Sequence, residues 1–377
     1  MYQHESQVEV AFDGRVPPEV QQSVFERLVA TEAADARRGA RVQRRVDAIA
    51  EDYRVHLREK LGERKYAGLR DYRNEMRRAH AEHRGSSSSS TDERASAEQT
   101  AARARRRGQT LATLERLGIR AADLTRLAAR ARRRIARLVP KREDEAAADG
   151  SDVGRLLRAR DVPATVREGR KSPFTIVTPP YVAKGTWTDG WTTDEVHYSR
   201  TDHLDVATGL VGSKVNLDDP DASDFGFGWK ERHTRLGFWY QMPATGLVDL
   251  WLEAQSGLSR HALRLYDEWG VSSASVYQVA YLTMQTVVGG KAETRRTTEV
   301  SSFGKDDETD GHWDVESLVD GHSYWTHFFS STPHKPGTWI WIRVGAVSYN
   351  HVITNDVEVH SAIDFRWFLK SVQVGTS

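Results

Sequence analysis

The hydrophobic period of this 377-residue chain changes once, and that change limits what it can fold into. From Glu19 to about Arg84 there is no proline, and apolar residues recur every three or four positions: Val42, Val46, Ile49 and Tyr53, then Leu69, Tyr72 and Met76. Such spacing draws one narrow stripe along a helix whose other faces are charged, as in a coiled-coil seam. From about Ser172 the period is two, as in "LVDLWLEA" (Leu247–Ala254) and "TWIWIRVGAVSY" (Thr338–Tyr349), which is the signature of strands. Turn signals separate about eight such runs, and no helical window lies between them. The fold class predicted is α+β and multidomain: a long N-terminal α-helical, coiled-coil-like region followed by a C-terminal antiparallel β-sandwich of jelly-roll type.

The boundaries follow from the same pattern. They are an extended arm over 1–16, a long helix over 17–84, a serine-rich linker over 85–91, a second helical block over 92–140, a linker over 141–171 and the sandwich over 172–377. An unbroken first helix would be a rod of about 100 Å. Its stripe is too thin for a globular core, so the stripe predicts partner helices and a homo-oligomer. Val8, Val10 and Phe12 alternate in the arm and predict a short strand that pairs downstream or on a neighbouring chain.

Charge divides the chain at the same place. Residues 1–170 hold 37 Lys and Arg against 27 Asp and Glu, and the remainder holds 17 against 26, together with all 11 tryptophans. The absence of cysteine excludes disulfides, thiolate zinc sites, iron–sulfur clusters and a cysteine nucleophile. No stretch approaches the roughly 20 apolar residues of a membrane span. The N-terminus lacks the apolar core of a secretory signal, so the expectation is cytoplasmic synthesis, with a virion or a secreted assembly as a destination.

Four features could carry chemistry. The acidic stretch "NLDDPDASD" places Asp218, Asp219, Asp221 and Asp224 together, a donor set for calcium, the one cofactor the sequence suggests. "DDETDGHWD" begins like a calcium loop, but Ser317 stands where the bidentate glutamate belongs, so it reads as an acidic turn. His197 and His203 flank Asp202 in "EVHYSRTDHLD", and Trp187 and Trp191 sit in "KGTWTDGWTTDE"; these five residues form the candidate ligand site, the tryptophans as loop-borne stacking platforms for a glycan. The arginine-rich helix–glycine–helix pattern of residues 114–134 offers a nucleic-acid surface, the less favoured partner. There is no nucleophile elbow, phosphate loop or dinucleotide fingerprint, and nothing predicts an enzyme.

The strand "GTWIWIRVG" has two apolar faces: Ile340, Ile342 and Val344 on one, Trp339 and Trp341 on the other. The aliphatic face is expected in the sandwich core. The tryptophan face is expected to be covered by protein, whether the far side of the sandwich, a helix of the stalk or a neighbouring protomer. The function these features support is a non-enzymatic structural or attachment protein, with a helical stalk and a β-head that meets a protein or glycan. The layout is similar to that of fibre and spike proteins of phages and injection machines, a likeness of architecture rather than of motif. A carbohydrate-binding module on a helical tether is the alternative.

Overall fold

The computed structural model describes residues 5–7, 13–84, 93–138, 153–154, 156–167, 174–220, 226–266, 273–288, 291–308, 311–316 and 321–377. An N-terminal helical region precedes two sheets that form a β-sandwich. The first sheet runs β1 (Glu5–Gln7), β5 (Ala183–Thr192), β8 (Gly226–Gln241), β14 (Trp339–Asn355), β10 (Ser273–Val288), β11 (Lys291–Glu308) and β2 (Val153–Gly154). The second runs β3 (Leu157–Arg158), β13 (Ser323–Phe329), β9 (Val248–Tyr266), β15 (Glu358–Thr376), β7 (Leu210–Asp219) and β6 (His197–Asp202). On this second sheet β12 (Gly311–Glu316) also pairs with β9, and β4 (Thr175–Val177) with β15. Among the described residues all strand pairings are antiparallel except the short β2–β11 contact. Residues of the expected arm and linker thus add strands to the sheets; Val8, Val10 and Phe12 lie outside the described residues.

Strand alternation sends Ile340, Ile342 and Val344 into the space between the sheets, against Val211, Leu250, Ile363 and Phe365 of the second sheet. A polar belt separates this core from a smaller apolar cluster around Leu217 and Val359. In the belt Ser213 donates to Ser348 at 2.9 Å, Gln278 donates to Ser361 at 2.8 Å, and Asn350 donates to the carbonyls of Val215 and Ser361. A one-residue slip of any strand would bury these groups unpaired, so the belt fixes register.

The helices cover the outer face of the first sheet. Helix α1 (Pro18–Leu61) is 44 residues long, about 66 Å. It ends at Gly62, whose φ of +75° turns the chain before α2 (Glu63–Arg84), so the expected single helix over 17–84 is two. Helices α3 (Glu93–Arg116) and α4 (Ala121–Ala136) meet at Gly118, φ +64°. There the Gly118 amide donates to Glu115 O and the Ile119 amide to Leu114 O, each at 2.8 Å, and the buried Ile119 and Leu114 complete a Schellman motif.

The tryptophan face of β14 lies under the start of the helical region. Val16, Val20, Val24 and Leu28 pack on Trp239, Trp339 and Trp341, and Trp341 fills the space beside Gly237 that a side chain there would need. Of the three covers expected for this face, the structure has a helix of the same chain. Farther along, Val46, Ile49, Tyr53 and Leu69 form one buried cluster with Leu124, Ala128 and Ile135 of α4 and with Trp191, Phe227 and Trp229 of the sheet; Val42 and Tyr72 pack at its edge. The side chain of Met76 lies outside the described residues. The stripe expected to seam separate chains therefore faces the chain's own α4 and sheet. Its physical requirement, an apolar partner surface, is met by aromatic residues more than 120 positions away in sequence, which periodicity alone cannot point to.

Two polar contacts pin this layer. The Arg73 guanidinium of α2 meets Asp356 at 2.5 Å, both side chains buried, at the β14–β15 turn where Asp356 adopts φ +54°. Next to it Asn355 donates to the Tyr53 hydroxyl at 3.3 Å. Removing one member of a buried ion pair leaves the other charge uncompensated. Arg73→Ala is expected to destabilise the protein by about 3–5 kcal/mol in chemical denaturation; a loss below about 1 kcal/mol, the level of a surface pair, would contradict the docked arrangement.

Candidate functional site

Where α4 passes over the first sheet it leaves a groove of about 570 Å³. Its floor is built by strand alternation. Ser275 and Tyr277 of β10, and His351 and Ile353 of β14, point away from the sandwich core, and Tyr277 is in register with Gly304 of β11 on one side and His351 on the other. Because Gly304 has no side chain, the Tyr277 ring can lie against the β11 backbone; a Cβ there would come within 3.3 Å of it. Ala129 and Arg133 of α4 form one wall, and Lys305 and Asp306 the other. Tyr277 is 42 % exposed, which makes it an aromatic surface available to a ligand.

An aromatic ladder roots this ring in the interior. Tyr277 meets Tyr349 edge-on at 6.0 Å, Tyr349 meets Trp229 at 6.1 Å, and Trp229 meets Trp191 at 4.7 Å. Trp191 stacks on Phe227, whose ring meets His351 at 5.3 Å. Burial pushes the His351 imidazole down to about 4, so it is neutral at pH 7. Its Nε2 is shielded from solvent and has no hydrogen-bond partner among the described residues. Asp306 accepts a hydrogen bond from Ser275, so the pair presents acceptor oxygens at the groove wall.

The five residues expected to form a ligand site are placed apart. Trp187 and Trp191 are not on a loop but on β5, and both are buried. Trp187 lies 4.2 Å from His233 with the Arg235 guanidinium over its ring. The glycines and threonines of "KGTWTDGWTT" suggested a loop; pairing with β8 along its whole length makes it a strand. His197 is exposed at the start of β6. Asp202 accepts from Arg232 at 2.7 Å, and His203 pairs with Asp364 at 3.1 Å. Among the described residues no three His, Asp or Glu side chains are grouped to hold a metal ion. Asp219 is buried and accepts from Thr354, Asp218 is bonded to His360, and Asp221 and Asp224 lie outside the described residues. The groove residues Tyr277 and His351 were not singled out from sequence. The alternation that begins at Trp339 reaches Tyr349 and His351 unbroken, and that was the available signal.

No described helix is long and apolar enough to cross a membrane. No protein-family model matches the chain, and no curated protein matches it in sequence. Solved structures give weak similarities over about half of it. The enzymatically active domain of tailspike protein 4 of bacteriophage CBA120 is 9 % identical over 46 % of this chain, with a TM-score of 0.13, and the match spans only 19 % of that protein. The C-terminal carbohydrate-binding module of a laminarinase from Zobellia galactanivorans is 10 % identical over 46 % of this chain and 98 % of its own, with a TM-score of 0.12. A family 11 carbohydrate-binding module from Clostridium thermocellum is 11 % identical over 52 % and 97 %, with a TM-score of 0.11.

On the outer face of the second sheet, His360 bridges Asp218 at 3.2 Å and Glu358 at 2.6 Å. Those two carboxylates outweigh desolvation and push the imidazole up to about 9 from 6.5. A pKa raised on folding adds stability that is complete below the unfolded value and lost as pH rises through the folded one. His360→Ala is therefore expected to cost stability at pH 6 and little at pH 10 in urea denaturation; an equal cost at both would contradict the bridge.

Proposed function

We propose that the chain is a non-enzymatic attachment protein whose β-sandwich head grips a carbohydrate in the groove between α4 and the first sheet. The observation that carries this reading is the exposed Tyr277 ring, held edge-on by Tyr349 and flanked by Arg133, Lys305 and Asp306. An aromatic face takes the apolar C–H side of a sugar ring, and charged groups at its rim take the hydroxyls. Among the described residues the groove's one lining carboxylate, Asp306, is engaged by Ser275, so these residues offer groups for gripping rather than a carboxylate pair for glycoside chemistry. The buried ladder behind Tyr277 favours tight binding because it fixes the ring before a ligand arrives.

The full chain is expected to bind members of an immobilised glycan panel. Tyr277→Ala should weaken that binding at least about tenfold, or roughly 1.4 kcal/mol. Phe329→Ala, which removes an exposed ring from the second sheet, should leave it unchanged. Binding that survives Tyr277→Ala, or the absence of binding to any glycan, would contradict the proposal.

A further inference from the structure

Helix α4 has two unlike faces. Leu124, Ala128, Ala131 and Ile135 are buried against α1 and the sheet, while Arg126, Arg130, Arg133 and Arg137 are exposed. Steps of four, three and four place these arginines in one row, about 16 Å long at 1.5 Å per residue, and Arg133 stands in the groove wall. Residues 101–140 contain twelve arginines and two acidic residues, Glu115 and Asp123. Asp123 is already held by Lys60 and Arg120, and Asp52 of α1 takes Arg134 and feels Arg130. Arg126, Arg133 and Arg137 have no ion-pair partner among the described residues. Cations at a helix C-terminus meet the last carbonyls favourably, but that accounts for one turn, not for a row reaching back to 126.

We propose that the groove's ligand is an anionic polysaccharide, carboxylated or sulfated, which stacks one sugar on Tyr277 and runs its acidic groups along the α4 row. This rests on the carbohydrate reading of the same groove and adds the charge of the ligand. An acidic polysaccharide complements each part of the surface: acidic groups for the guanidinia that have no ion-pair partner among the described residues, and hydroxyls that donate to the acceptor oxygens of the Ser275–Asp306 pair. A single-stranded nucleic acid fits less well. Such strands are held by successive stacking platforms, whereas among the described residues the groove floor offers one exposed ring, Tyr277.

The test is calorimetric titration of the full chain with polygalacturonate, heparin, dextran and a single-stranded oligodeoxynucleotide. Polygalacturonate or heparin should bind at least about tenfold more tightly than dextran, and the advantage should collapse as salt rises and screens the row. Arg133→Gln with Arg137→Gln should remove most of that advantage, and because both side chains are exposed the fold should survive. Equal binding of dextran and polygalacturonate, abolished by Tyr277→Ala but untouched by the arginine substitutions, would overturn the anionic ligand and leave the carbohydrate reading standing. No binding of any polysaccharide would overturn both. Tighter binding of the oligonucleotide than of every polysaccharide would overturn the proposal in favour of nucleic acid.

Discussion

The outer face of the first sheet governs the architecture. It carries Trp191, Trp229, Trp239, Trp341 and Phe227, side chains that a sandwich with one wet face would not tolerate. Each tryptophan buries about 150–250 Å², which at about 25 cal/mol per Å² corresponds to roughly 4–6 kcal/mol against exposure. The helices supply the cover, and their own apolar stripe needs it equally. Neither layer is self-sufficient, so the helical region is a third layer laid on the sandwich rather than a stalk standing away from it. The Arg73–Asp356 and Tyr53–Asn355 contacts add orientation to this non-directional attraction.

The groove is a consequence of how that cover ends. Where α4 leaves the sheet, the aromatic ladder runs out from beneath it to Tyr277. The buried Trp191 and the exposed Tyr277 belong to one stack, the first serving stability and the second a surface. The polar belt inside the sandwich and the His360 bridge outside it set strand register and pH response without entering the groove.

Much of the fold was legible in the sequence. The switch of period separated helix from strand, and the two faces of "GTWIWIRVG" predicted both the core and the need for a cover. What was not legible has physical causes. Strands β5 and β7 and the first half of β8 carry glycines, aspartates and arginines because they line the polar belt or pair across sheet edges, as Arg232 does with Asp202. They therefore lack the alternation that marks a strand. A coiled-coil stripe has the same spacing whether it meets another chain or its own sheet, so the intrachain docking of Val46, Ile49 and Tyr53 could not be read from it. Trp187 and Trp191 drew attention as large rings among turn-forming residues, whereas the ring exposed in the groove is a tyrosine within the apolar strand β10.

Because the chain has no cysteine, a single engineered pair can report whether the helical layer docks on its own sandwich. Arg54 of α1 and Glu195 of the β5–β6 connection face each other at 3.3 Å, both partly exposed. With Arg54→Cys and Glu195→Cys, a short bismaleimide should link the two positions within one chain, giving a monomer of altered mobility on a denaturing gel at all protein concentrations. Links that join two chains, or no link while each cysteine still reacts singly, would contradict the docked layer.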